Sequence, residues 1–250
     1  MDNGSTIICL VTMSESSHSP PAFSQIVNSM KNNSSTPRRG FLKSTTLLAS
    51  ATFGLASIPL GAMAEGLPPD DRDNVIGPRS GFSPHVGTLL SMMTWMRRVI
   101  LMPVRGLTVD QLDFLNDDQS NSIGSMLLHL AATERFYQIH TFDGKKWGDW
   151  PEKDQKRFGV AMALGTEARK TIKGNSLDFY TSTLQEVREN TINEFRKRGD
   201  DWLFSVDEKW PWGPTNNYCK WFHVCEHESN HNGQIKYIKS RLPGAKAGND

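Results

Sequence analysis

Residues 217–242 read NYCKWFHVCEHESNHNGQIKYIKSRL. Val224, His227, His231, Ile235, Ile238 and Leu242 recur in this stretch at steps of three and four. That spacing lines them along one face of a helix and predicts a helix over 217–242, ended by Pro243-Gly244. Two histidines therefore share a stripe with the aliphatic residues that must be buried. Burying an imidazole is costly unless its nitrogens find partners.

Three more segments carry the same period. The first helix is predicted to start at Ser83-Pro84, with Ser as cap and Pro in the first turn. It shows Leu89, Met92, Met93, Met96, Val99 and Ile100 on one side and stops near Pro103. The second is predicted over 122–142, with Ile123, Met126, Leu127, Leu130 and Tyr137 as its stripe and Asp143-Gly144 closing it. His129, Thr133, Phe136 and His140 lie on one flank of that stripe. The third is predicted over 176–198, with Leu177, Tyr180, Leu184, Val187, Thr191 and Phe195 inward and Gly199 as its C-terminal cap. With no clear strand run and no internal repeat, the chain reads as all-α, a four-helix bundle. Roughly 33 residues separate the second and third helices. That connection is long enough to cross the bundle and holds Trp147, Trp150 and Pro151, with a short helix predicted around Gln155–Leu164.

His227 and His231 stand one helical turn apart, about 5–6 Å between Cβ atoms. Two imidazole nitrogens at about 2.0–2.1 Å from one cation fit that separation. An HxxxH pair alone is a common chance pattern, and its weight here comes from its place on a buried stripe. Taken alone, His129 reads as a core histidine satisfied by hydrogen bonds sooner than as a ligand. Glu134 reads as a salt-bridge partner of Arg135, Arg188 or another basic group, or as a group orienting His129 or binding water. His223, one turn before His227, reads as a pocket wall, a group behind the ligands, or a surface residue. His85 and His140 are ambiguous. Trp210-Pro211-Trp212-Gly213-Pro214 reads as an aromatic pocket rim or as a packed turn.

Two segments together resemble the DinB-like superfamily of thiol-dependent transferase-like metalloproteins. One is Ser125–Tyr137, with His129-Leu130 and Glu134; the other is Glu226–Ile235, with Glu226-His227-Glu228, His231 and Gly233-Gln234. Gly106–Leu112 is similar as well. The likeness spans about residues 83–243 and includes mycothiol- and bacillithiol-dependent transferases. It implies a four-helix bundle with a long overside connection between helices two and three. It also implies a site in which His129, His227 and His231 bind one divalent metal ion. Three neutral imidazoles leave a further coordination position, the pattern of catalytic rather than structural zinc. Zinc is the expected metal, with nickel, iron or manganese compatible with the ligand type. The implied activity is that of a metal-dependent transferase or hydrolase acting on a small molecule. The alternative is a non-catalytic, exported metal-binding or stress-related protein with a structural site.

Ahead of this domain, expected over 65–250, residues 1–64 read as an address. Residues 1–37 are rich in Ser, Asn and Pro and are expected to be disordered. Thr36-Pro37-Arg38-Arg39-Gly40-Phe41-Leu42-Lys43 follows, then an apolar run from Leu47 to Leu60 ending in Ala62-Met63-Ala64. A basic segment, a modest apolar segment and a small-residue cleavage site make an export signal, and the Arg-Arg pair resembles the twin-arginine type. Met30-Lys31-Asn32-Asn33 is a conventional signal start, so translation is expected to begin at Met30. The expected partners are the twin-arginine export machinery and a small-molecule substrate. The expected location is the periplasm or beyond, with no membrane attachment after cleavage; a homodimer is left open. Residues 65–81, with Pro68-Pro69 and Gly77-Pro78, read as a linker.

Composition narrows the class further. Mean hydropathy is −0.47 and 37% of residues are hydrophobic, which argues against a multi-span membrane protein. The chain has 28 Lys/Arg and 27 Asp/Glu; residues 1–64 hold four and two of these, so the rest nets −1. Nucleic-acid binding, which calls for a basic surplus, is not expected. Cys219 and Cys225, six residues apart on one helix, point about 240° apart and are poorly placed to bridge. Changing Arg38 and Arg39 to Lys is expected to hold precursor in the cytoplasm, and the exported protein is expected to begin near Glu65. Intact-mass analysis of periplasmic and cytoplasmic fractions checks both; normal export of the double variant would remove the twin-arginine reading.

Overall fold

The computed structural model describes residues 74–246. The expectations for residues 1–64, including the signal, its cleavage site and the Met30 start, lie outside the described residues. Eight helices and one two-stranded ribbon follow in order. They are α1 (Pro84–Leu101), α2 (Val109–Asp113), α3 (Ile123–Thr141), α4 (Glu152–Ala163), α5 (Gly165–Thr171), α6 (Leu177–Phe195), α7 (Asp200–Phe204), β1 (Val206–Asp207), β2 (Thr215–Asn216) and α8 (Asn217–Lys239). The long helices α1, α3, α6 and α8 are the four predicted ones, and the architecture is all-α. No helix among the described residues is long and apolar enough to cross a membrane.

α3 is the central element, packing against α4, α6 and α8, while α1 packs on α8. Every residue of α3 except Arg135 and Thr141 is buried. The sequence pattern predicts a stripe there, and the structure buries the whole circumference. The reason is the connection between α3 and α6, which lays α4 over the face that an open bundle would leave to water. α4 buries Phe158 and Ala161 against the core. It is clamped to α3 by Arg135 Nε donating to Asp154 Oδ1 at 2.8 Å, and to α6 by Arg157 Nη1 donating to Glu186 Oε1 at 2.6 Å. On the far side of α3, Gly124 packs beneath Tyr180 of α6; a Cβ there would lie 2.6 Å from the Tyr180 hydroxyl.

The caps show where local signals hold and where they fail. Ser122, Ser176 and Asn216 each cap the helix that follows by accepting from a backbone N–H three residues on. Ser83 also occupies a cap position, but its hydroxyl donates to Asp200 Oδ1 at 2.6 Å instead. That carboxylate accepts from the backbone N–H of His85 and Val86, so α1 is capped from α7. Gly199 does not cap α6, which ends at Phe195; it is the N-cap of α7. α8 stops at Lys239, so Leu242 is buried from the turn that follows rather than from the helix. Gly106–Leu112, read only as part of the resemblance, carries the N-cap and most of α2, whose Thr108 and Gln111 form a reciprocal capping box. The Trp210–Pro214 turn is the tip of a short hairpin in which Val206 pairs with Asn216 and Asp207 with Thr215. Cys219 is exposed, Cys225 is buried, and the two are not bridged.

One residue from each long helix meets in the core: Arg97 of α1, Glu134 of α3, Arg188 of α6 and Glu228 of α8. Arg97 Nη2 lies 2.8 Å from Glu134 Oε2 and 2.6 Å from Glu228 Oε1. Arg188 Nε lies 2.7 Å from Glu134 Oε1, and its Nη2 lies 2.9 Å from Glu228 Oε1. The remaining donors reach Leu184 O and Met93 O, and Thr191 Oγ1 donates to Glu134 Oε1. Burial alone would raise the Glu134 carboxyl, but the two guanidinium groups outweigh it and hold it below the ordinary carboxylate range. Removing one member leaves an uncompensated buried charge, which costs about 3–5 kcal/mol. Arg188→Ala is therefore expected to lower the unfolding free energy by that amount in a urea titration, and a loss below about 1 kcal/mol would show that water relieves the stranded carboxylates.

Candidate metal centre

α3 and α8 run past each other in opposite directions, and the candidate site is built on their seam. His129 stands opposite His227 and His231; Tyr137, two turns on in α3, stands opposite His223, one turn back in α8. His129 Nε2 lies 2.8 Å from His227 Nε2, and His231 Nε2 lies 3.2 Å from the same atom. His129 and His231 are buried and His227 is half-buried. These three are the residues that the sequence singles out, and the structure brings them to one point.

The donor chemistry suits a cation. His129 Nδ1 lies 2.9 Å from the carbonyl oxygen of Ala161, an atom that can only accept. The ring proton is therefore on Nδ1, and Nε2 presents a bare lone pair to the cluster. Three imidazole nitrogens facing one another at these distances have few protons to share between them, and one cation satisfies all three. Among the described residues the group able to hold a metal ion comprises His129, His227 and His231. The two nearest buried carboxylates in sequence, Glu134 and Glu228, are engaged by Arg97 and Arg188. Glu134 is thus the ion-pair residue of the two sequence readings.

Around the triad the wall is aromatic. The His223 ring lies 5.4 Å from His227 and 5.1 Å from Trp212, and its Nδ1 lies 3.0 Å from the Tyr137 hydroxyl. In the Trp210–Pro214 turn the packed reading holds at Trp210. Trp210 is packed, with Lys220 Nζ 4.0 Å over its ring, whereas Trp212 is half-exposed beside His223. Trp147, from the overside connection, meets Trp210 edge-on at 4.7 Å. The two ambiguous histidines stand apart from the triad: His85 pairs with Asp200, and His140 Nδ1 lies 2.9 Å from Lys145 O.

Sequence reasoning missed two contributors. The Ala161 carbonyl has no signature, because any residue there presents one. Arg97 had a signal: it occupies a stripe position between Met93 and Ile100, where a charge demands a buried partner.

A model of the Mycothiol-S-transferase family matches residues 88–244. A helical bundle with three histidines converging from α3 and α8 is thus a DinB-like protein. The chain belongs to the mycothiol-S-transferase family within that superfamily. No curated protein matches it. An uncharacterized protein of known structure from Clostridium difficile 630 is 14% identical, aligning over 63% of this chain and 97% of its own with a TM-score of 0.49.

Burial pushes the His227 imidazole down to about 2, aided by His129, His231 and His223; burial and His129 push His231 down to about 4. His129 moves the same way for the same first cause. All three are neutral near pH 7, the form that ligates metal. In the unfolded chain they titrate near 6.5. Between pH 6.5 and about 4 the unfolded chain holds protons that the folded state refuses, so stability falls as pH drops through that window. For chelator-stripped protein, the urea midpoint is expected to decline from pH 7 to pH 5. The slope is expected to be shallower in a His227→Gln/His231→Gln variant, and equal slopes would contradict the assigned shifts.

Proposed function

We propose that this protein binds one divalent metal ion, zinc in the first instance, through His129, His227 and His231, and that it is a metal-dependent transferase acting on a small molecule. The observation that carries this reading is the convergence of three imidazole Nε2 atoms while both neighbouring carboxylates are paired with arginines. Three protein ligands are the catalytic pattern; a structural zinc site takes four. A bound ion would supply Lewis acidity and a place to hold a thiolate or another anionic donor. The chain's own residues supply the rest. Ala161 fixes the tautomer of His129, and the buried ion pairs lock α3 against α8.

Family membership supports thiol transfer onto an electrophile as the reaction class, with hydrolysis of a small substrate as the neighbouring possibility on the same site. We also propose that the protein works outside the cytoplasm. The support is the Arg38-Arg39 segment and the apolar run after it, outside the described residues. Export of a folded chain lets the metal be loaded where supply is controlled, which matters because affinity alone favours copper over zinc. Outside the cytoplasm the acceptor chemistry is the same, but the thiol need not be the cytosolic one that the family's name carries.

His129→Ala, His227→Ala and His231→Ala are each expected to lose most of the bound metal by elemental analysis, because two remaining nitrogens chelate poorly. Full occupancy after His129→Ala would remove it from the site. Cobalt(II) in the triad is expected to change its visible spectrum with azide, and with cysteine to gain a sulfur-to-metal charge-transfer band. A cobalt protein indifferent to both would mean a closed, structural site and no transferase. A response to azide alone would keep the open site and move the chemistry from thiol transfer to hydrolysis.

A further inference from the structure

One helical turn beyond the triad on the same seam, Tyr137 and His223 form a pair that the metal reading leaves unused. Tyr137 is buried, and its hydroxyl makes one hydrogen bond, to His223 Nδ1 at 3.0 Å. A buried phenol O–H needs an acceptor, and this nitrogen is the acceptor it has among the described residues. The hydroxyl therefore donates, Nδ1 is the bare nitrogen, and the ring proton of neutral His223 sits on Nε2. That Nε2 has no protein partner among the described residues, yet it is not sealed from solvent. The ring around it is held in place. His227 lies 5.4 Å away on one side and the half-exposed Trp212 lies 5.1 Å away, while Tyr137 packs against Trp210 and Trp221.

We propose that His223, fixed by Tyr137 with its proton on Nε2, donates a hydrogen bond to the anionic donor atom of the ligand that enters beside His227. This rests on the reading of the triad as an open metal site and adds the group that recognises the ligand. His223 touches the ligand; Tyr137 is a positioning residue that acts through it. The recognised chemistry is a compact anion such as a thiolate, a carboxylate or azide. A neutral ligand without an acceptor atom gains nothing from the pair.

The test uses cobalt(II)-loaded full-length protein titrated with azide, and nitrogen NMR of histidine-labelled protein. In the wild type, His223 is expected with its proton on Nε2. His223→Phe keeps a ring between His227 and Trp212 but removes the donor. It is expected to weaken azide about tenfold, the loss of one hydrogen bond to a charged group. Cobalt content and the azide-free spectrum are expected to stay unchanged. His223→Gln, which returns an N–H donor, is expected to recover most of the affinity. Tyr137→Phe is expected to weaken azide by a smaller factor while His223 populates both tautomers. A wild-type His223 with its proton on Nδ1 would overturn the proposal without any variant having to fold. Equal azide affinity in His223→Phe and wild type would overturn it as well, leaving the metal reading intact. Wild-type protein that takes no cobalt, or takes it and ignores azide, would overturn the triad reading and this one with it.

Discussion

The four long helices are tied at one place by charge. Arg97, Glu134, Arg188 and Glu228 come one from each helix and neutralise each other inside the core. Such a network is a poor source of net stability, because the desolvation of four charges roughly offsets their attraction. Its effect is on alternatives. An aliphatic core tolerates a helix sliding or rotating by part of a turn, since one apolar contact replaces another. A buried guanidinium does not, because any shift strands a charge. Glu134 lies five residues from His129 and Glu228 lies next to His227, so the register that satisfies the arginines is also the register that brings the histidine nitrogens together.

The second constraint comes from the segment that is not part of the bundle. Between α3 and α6 the chain crosses over and lays α4 on the central helix, turning α3 from an amphipathic element into a buried one. The same helix ends beside the site and presents the Ala161 carbonyl to His129 Nδ1. A break follows at once: Leu164 has φ +53° and Gly165 φ +71°, both in the left-handed region that side chains avoid. Leu164 holds this costly conformation where α4 must stop and α5 must start in a new direction. A proposed metal ligand is thereby oriented by a segment distant in sequence from either histidine helix, an arrangement typical of supported metal sites.

Much of this was legible in the residues. The four helices, their buried stripes and the pairing of His227 with His231 follow from periods of three and four, because helical geometry is local and every turn repeats the same requirement. Ser122 and Ser176 mark helix starts for the same reason. His129 is different. On its residues alone it read first as a satisfied core histidine; the resemblance of its surroundings to a family singled it out, and the convergence of Nε2 atoms from two helices then joined it to the pair. Ser83 stands at the N-cap the sequence predicts, whereas Gly199 misled because a cap signal names a residue type and not the helix it serves. Gly199 opens α7 rather than closing α6, and Ser83 gives its hydroxyl to Asp200, 117 residues away.

By itself the sequence determined the all-helical class, the four long helices and the apolar stripe that each carries, since these depend on interactions within a few residues. It also carried the charges that had to be paired: arginines and glutamates on apolar stripes announce a buried network without saying which meets which. Only the tertiary structure decided the pairings. It joined Glu134 and Glu228 to two arginines and so took them from the metal site. It set the Ala161 carbonyl on His129 and the Tyr137 hydroxyl on His223. Each of these is a contact between segments far apart in the chain, fixed by hydrogen-bond distances of about 3 Å that no spacing along a single helix encodes.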